Sequence, residues 1–201
     1  MLTAIINTDC YTKAIQLLQQ TEPHCQAFEI RLDYFTEINP SALRSLREAT
    51  THPLILTHRP SQQGGRCTRP VNARLAELTL AAQHLQPDVI DIEYDVEPSQ
   101  LTVLRQASPH SQWQRSYHDF SATPKDLTSL WQSLQHPAFT HYKIVTHATS
   151  AIDGLRLMQL ARLHPQLTAH ALGHAGRFTR FLGPLMNNPF TYAAIDNNDA
   201  V

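Results

Sequence analysis

Leu2-Thr3-Ala4-Ile5-Ile6-Asn7, followed by Thr8-Asp9-Cys10-Tyr11, reads as an apolar strand entering a turn that contains no glycine. That turn separates the two ways in which alternating strands and helices can fold. An open nucleotide-binding sheet carries a glycine-rich loop after its first strand, because backbone amides must approach phosphate closely. Here neither GxGxxG nor GxxxxGK[ST] occurs, and the whole chain has six glycines. The reading favours a sheet closed into a barrel.

The rest of the chain repeats that first unit. Short apolar runs recur at 27–33, 54–59, 89–94, 112–118, 140–146, 167–173 and 190–195. Between them apolar residues take helical spacing, as in Leu75, Leu78, Ala82 and Leu85, or Leu155, Met158, Ala161 and Leu163. Asn39-Pro40-Ser41 predicts the start of the second helix and Ser121-Ala122-Thr123-Pro124 that of the fifth. Eight strands and seven helices in strict alternation imply parallel strands with right-handed crossovers, hence an α/β fold of the (β/α)8 TIM barrel type. No linker or low-complexity stretch divides the chain, so a single domain over 1–201 is expected. After the last strand the sequence runs to Asn197-Asn198-Asp199-Ala200-Val201, and an eighth helix is expected to be missing.

Composition narrows the function. The 201 residues carry 16 Lys+Arg against 17 Asp+Glu, with 42% hydrophobic and 16% charged residues. That is too apolar for intrinsic disorder and too evenly charged for a nucleic-acid or anionic-membrane surface. Cys10, Cys25 and Cys67 form neither a disulfide framework nor a CxxC site. His170 and His174 are four apart, but on a strand running into a loop, so they lack helical ligand geometry. The N-terminus has no signal-peptide pattern. A reduced, soluble, cytoplasmic protein with a small-molecule partner is expected, without metal or cofactor; a homodimer is the protein partner considered.

Barrels of this kind place their chemistry at the C-terminal ends of the strands. Glu29, Arg31 and Asp33 end the second strand, and their period-2 spacing predicts that all three project to one face. Arg59 ends the third strand, Asp91 and Glu93 the fourth, and His118 the fifth, while Lys143 lies in the sixth. An ion-pair network supporting the barrel explains any one of them equally well. A buried lysine becomes a neutral amine that attacks a ketone, although a lysine snorkelling between helices remains open. His118 suits a proton shuttle near neutrality, although a lone histidine can be structural. Together, on neighbouring strands at one end of the barrel, the two suggest a Schiff-base site with a general acid/base.

Glu29-Ile30-Arg31-Leu32-Asp33, Leu56-Thr57-His58-Arg59, Gly64-Gly65, Asp91-Ile92-Glu93, Tyr117-His118-Asp119-Phe120, Lys143-Ile144, then Gly173, Gly176, Thr179-Arg180 and Phe190-Thr191-Tyr192 occur in that order. This ordered set resembles type I 3-dehydroquinate dehydratase, from the first strand to the last. The resemblance implies a metal-free barrel that dehydrates 3-dehydroquinate to 3-dehydroshikimate through an imine, in the shikimate pathway. It implies that Lys143 forms the imine and that His118 takes the C2 proton and helps water leave from C1. It also implies that Glu29, Arg31 and Arg59 hold substrate hydroxyls and that Arg180 pairs with the carboxylate. Asp91 and Glu93 would support them.

Two positions depart from the family pattern. Gln63 stands where the family has a Glu that orients and charges the histidine, so a hydrogen bond from Gln63 to His118 is expected without the charge. The loop and helix that follow strand eight in the family are not legible here. Other readings are a class I aldolase-type Schiff-base lyase, or a non-catalytic or assembly-dependent barrel such as the dehydratase half of a bifunctional dehydratase–shikimate dehydrogenase.

Overall fold

A computed structural model describes residues 1–195. The strands are β1 (Leu2–Ile6), β2 (Ala27–Arg31), β3 (Leu54–Thr57), β4 (Val89–Glu93), β5 (Gln112–Asp119), β6 (His141–His147), β7 (Leu167–Leu172) and β8 (Thr191–Ala194). The helices are α1 (Tyr11–Thr21), α2 (Pro40–Glu48), α3 (Val71–Leu85), α4 (Thr102–Ala107), α5 (Leu127–Leu134), α6 (Ala151–Leu163) and α7 (Phe178–Leu182). Every pairing is parallel, each strand from β1 to β7 pairs with its neighbour in sequence, and β8 returns to pair with β1. That order is a (β/α)8 barrel. Residues 196–201, on which the expectation of a missing last helix falls, lie outside the described residues.

Alternation along the strands sorts side chains into two apolar clusters. Residues facing the helices, such as Phe28, Ile30, Leu54, Leu56, Ile90, Ile144 and Ala169, belong to the large outer core. The second cluster, Ile55, Val89, Phe190 and Tyr192 with Ile5 against it, lies on the opposite strand face and fills the lumen. Each buried Leu, Ile or Phe contributes about 1.5–3 kcal/mol relative to exposure, so the outer layer supplies most of the drive to close the barrel.

One seam closes differently. No ladder joins β7 to β8 among the described residues. Side chains take up β7's free backbone groups instead. The Asn188 amide donates to the Ala169 carbonyl at 3.0 Å and accepts from the Ala169 N–H at 3.5 Å. The Thr179 hydroxyl accepts from the Ala171 N–H at 2.9 Å, and in the reverse sense the Thr168 side chain of β7 accepts from the Phe190 N–H at 3.3 Å. A buried backbone group needs such a partner.

Three local expectations are corrected. The fifth helix starts after Asp126, not at Ser121–Pro124. Asp126 accepts from the Ser129 N–H as a helix cap. Ser121 is held in a turn by Asp119, and Thr123 bonds to β6. In α6 the buried stripe is Gly154, Leu157, Met158, Leu160 and Ala161. Leu155 and Leu163 are exposed, because a neighbouring phase of the same apolar-rich helix faces the sheet. Asp33 does not share a face with Glu29 and Arg31, since β2 ends at Arg31 and Leu32–Tyr34 form a 3₁₀ turn that breaks the alternation.

Candidate active site

The C-terminal ends of the strands open into a cavity of about 820 Å³. Glu29, Arg31, Arg59, Gln63, His118, Lys143 and Arg180 all line it. Asp33, Asp91 and Glu93 lie behind this wall and act on its members.

Lys143 is buried on β6, beside Ser116 of β5 and Thr168 of β7 in register. Its Nζ donates to Glu29 Oε1 at 3.3 Å, lies 4.0 Å from Asp91 Oδ2, and sits 3.6 Å from the centre of the Tyr192 ring. Burial pulls the amine below the ordinary lysine range; Glu29 and Asp91 pull back upward, and the Arg59 cation adds to the lowering. Thr57 fixes the Glu29 carboxylate by donating to the same Oε1 at 2.8 Å.

Arg59 lies just beyond β3 and is buried. Its Nη2 reaches Asp91 Oδ1 at 3.0 Å, and its Nη1 reaches Ser116 Oγ at 2.7 Å and Glu93 Oε1 at 3.3 Å. A second buried cation, Arg74 of α3, pairs with the other Glu93 oxygen at 2.8 Å. Burial alone would raise the Asp91 pKa, but Arg59, then Lys143, and hydrogen bonds from Ser116 and Gln114 hold it below the usual range. Glu93 lies raised, because burial outweighs its two arginines. Asp33 grips Arg31 with both oxygens, at 2.9 and 2.8 Å, and accepts from the Arg59 and Arg66 backbones. It therefore aims Arg31 and ties the end of β2 to the loop after β3.

His118 lies on β5 one pleat above Lys143, with its ring stacked on Phe120 at 6.4 Å. Gly64 makes that arrangement possible: its φ is +76°, and a Cβ there would fall 2.1 Å from the Phe120 ring. Burial, then Arg59, Lys143 and Arg31, push the His118 pKa well below that of a free imidazole. The expected hydrogen bond from Gln63 is not formed. The Gln63 amide donates to Asp95 at 3.3 Å, while its carbonyl and His118 Nδ1 are both buried without a partner. An amide's N–H goes to the nearer carboxylate when one is offered, which the sequence spacing did not reveal. Arg180, past β7, is half-buried and donates to the Tyr192 carbonyl at 2.8 Å.

Several contributors were not singled out in the sequence. Ser116 and Gln114 carry the His118 period downward along β5, and Thr57 does the same for Arg59. Arg74 interrupts the apolar stripe of α3 formed by Leu78, Ala82 and Leu85, and an arginine on a buried face is itself a signal. His170, weighed in the sequence only as a metal ligand, and Tyr192, named only within the family pattern, also line the cavity.

One group among the described residues has donors suited to a metal: His58, Cys67 and Glu77. Glu77 is already paired with Arg69 and with His58 Nε2, and Arg74, Arg69 and Arg31 help drive the His58 pKa down to about 4, burial being the largest cause. So many cations oppose a dication there, and the cavity itself carries no such group. Among the described residues no helix is long and apolar enough to cross a membrane.

The arrangement is thus a buried amine held between two carboxylates, an imidazole one pleat above it, and four arginines, Arg31, Arg59, Arg177 and Arg180, on the cavity wall. The sequence profile of one family, described as Type I 3-dehydroquinase, matches residues 4–201. A 3-dehydroquinate dehydratase of Dehalococcoides mccartyi is 32% identical over 179 residues, 86% of this chain and 77% of that protein. A "Shikimate biosynthesis protein AroDE" of Chlamydia trachomatis is 26% identical over 194 residues, 96% of this chain but 38% of the longer relative. The crystal structure of 3-dehydroquinate dehydratase from Geobacillus kaustophilus superimposes with a TM-score of 0.84 at 21% identity, over 99% of this chain and 84% of that one. That last likeness establishes the fold.

Proposed function

The chain belongs to the type I 3-dehydroquinase family, the hydro-lyases that act on 3-dehydroquinate in the shikimate pathway, and from that premise we propose that residues 1–201 form one catalytic domain working through an imine on Lys143. The observation that carries the reading is the position of the Lys143 amine: buried, lowered in pKa, and at the floor of the cavity beneath an imidazole. A lowered pKa leaves more free amine to attack the C3 ketone. The imine, once protonated, draws electrons from C2 and acidifies its hydrogen. His118, held neutral by burial and three cations, takes that proton and returns it to the departing C1 oxygen.

Glu29 and Asp91 share the positive charge of the amine and then of the iminium, which lowers the cost of forming it in a buried site. Arg31 and Arg59, held by Asp33 and by Asp91 with Glu93, face the cavity with fixed guanidinium forks that suit hydroxyl oxygens. Arg180 at the β7–β8 side suits the carboxylate, since its planar fork matches two oxygens. An aldolase-type reading also uses the lysine, but the family membership favours dehydration.

Borohydride reduction in the presence of 3-dehydroquinate tests this. It should add the ligand's mass to the peptide containing Lys143, and Lys143→Ala should abolish both labelling and turnover. Labelling at Lys13 or Lys125 instead would overturn the assignment. His118→Ala should still trap ligand while eliminating water about 10²–10⁴-fold more slowly.

A further inference from the structure

The cavity holds a second imidazole that the reaction as described does not use. His170 sits in the middle of β7, only 2% exposed, and lines the cavity. Its neighbours along the strand fix its direction: Leu167, Ala169 and Ala171 belong to the outer core, so Thr168, His170 and Leu172 face inward. Register fixes its height. Val145 of β6 is paired with His118 of β5 on one side and with His170 of β7 on the other. The two histidines therefore stand at one level, about 10 Å apart along the wall, flanking the strand that carries Lys143 one pleat below. Anything attached to Lys143 has an imidazole on each side.

Among the described residues neither ring nitrogen of His170 completes a hydrogen bond. The ring stands edge-on to Tyr192 at 6.0 Å, and burial, followed by the Arg180 and Lys143 cations, depresses its pKa to about 3, with the Phe190 backbone pulling the other way. It is neutral at any working pH, with one N–H to give. A leucine would fill this place without desolvating two nitrogens. An unpaired donor facing a cavity built for a polyhydroxylated acid is matched when the ligand arrives.

We infer that His170 donates a hydrogen bond to the C1 hydroxyl of the bound substrate, the group that leaves as water. This rests on the function proposed above, which sets the substrate's direction: C3 on Lys143, the carboxylate of C1 toward Arg180, and the other hydroxyls toward Arg31 and Arg59. His170 lies between Lys143 and Arg180 and so faces the C1 end. In the elimination, the C2–H electron pair forms the enamine, and its return makes C1=C2 and breaks the C1–O bond. The oxygen leaves as water with the proton His118 took from C2. His170 keeps its own proton throughout and stabilises the charge gathering on that oxygen.

The test compares His170→Met, of similar bulk without an N–H, with His170→Gln, which keeps one. The methionine variant should lose about 10- to 100-fold in kcat with a smaller change in KM, while borohydride still labels Lys143 and the melting temperature stays within a few degrees. The glutamine variant should recover part of the loss. A methionine variant with the parent's kcat overturns the inference, as does a pair of variants that lose turnover and labelling alike. In the Lys143→Ala chain, which keeps the C1 hydroxyl because it does not turn substrate over, saturating 3-dehydroquinate should shift the ¹⁵N signals of the His170 imidazole; unmoved signals overturn the inference. If the parent chain does not label at Lys143, the imine reading fails instead.

Discussion

Asn188→Ala puts the unusual seam of the barrel to the test. The Asn188 side chain is buried and makes two bonds to one residue of β7, donating to the Ala169 carbonyl at 3.0 Å and accepting from its N–H at 3.5 Å. No β8 strand offers a replacement there among the described residues. Alanine leaves both backbone groups buried and unpaired. A buried group stripped of its partner costs about 1–3 kcal/mol, and the longer of the two bonds counts toward the low end. The expected loss is about 2–4 kcal/mol, a large part of a typical 5–15 kcal/mol. For a chain of this size each kcal/mol moves Tm by about 2–4 °C, so the melting curve should fall by about 5–15 °C. Urea unfolding at constant m-value is the second measurement. Asn188→Asp should do no better, because a carboxylate cannot donate to the Ala169 carbonyl. Arg180 and Tyr192 flank the same seam, so KM should rise alongside. A Tm within 2 °C of the parent would show that the amide is dispensable and that the seam closes by some other means.

Gln63→Glu should raise kcat and move the acidic limb of the pH–rate profile upward, because a carboxylate repelled by Asp95 favours the cationic form of His118; an unchanged profile would show that residue 63 does not act on the imidazole. Arg59→Lys should cost about 2–4 kcal/mol in chemical denaturation, since one ammonium cannot replace a fork that joins Asp91, Glu93 and Ser116; equal stability would mean that Arg74 and Lys143 suffice for those carboxylates. Stability should also fall as pH drops from about 6.5 toward 4. His58 and His170 have folded pKa values of about 4 and about 3, below the unfolded value of about 6.5, so the unfolded chain binds the extra protons in that window. The expected slope is about 1.4 kcal/mol per pH unit for each histidine, and a Tm that is flat between pH 6.5 and 5 would contradict their burial as neutral rings.

The fold was legible because its signal is local and repeated. Eight short apolar runs separated by helical spacing give the alternation, and a glycine-free first turn disfavours the open sheet. Each run became a strand within one or two residues, although β2 stops at Arg31 where a 3₁₀ turn carries Asp33 away. The phase of α6 was not legible, because apolar residues lie on more than one side of that helix and only the facing sheet selects the buried stripe. The start of α5 was misread because serine and threonine can cap a helix or bond elsewhere, and Asp119 and β6 had claimed them.

The sequence by itself determined the face of the ionisable side chains that lie within strands, since period 2 leaves little choice there, but not that of Asp33, which falls past the end of β2. From that alone Glu29, Arg59, His118 and Lys143 could be placed at one end of a barrel. Which of them touch, and which atoms are left without partners, was decided only by closure. Glu29 and Lys143 are 114 residues apart in the chain and 3.3 Å apart in space. Arg74 reaches Glu93 from a helix, and His170 comes level with His118 through two strand registers that no local pattern encodes. The amide of Gln63 turned to Asp95 for the same reason. Hydrogen bonds and ion pairs act over a few ångströms, so their partners are fixed by the positions closure imposes, while periodicity fixes only the face on which each side chain stands.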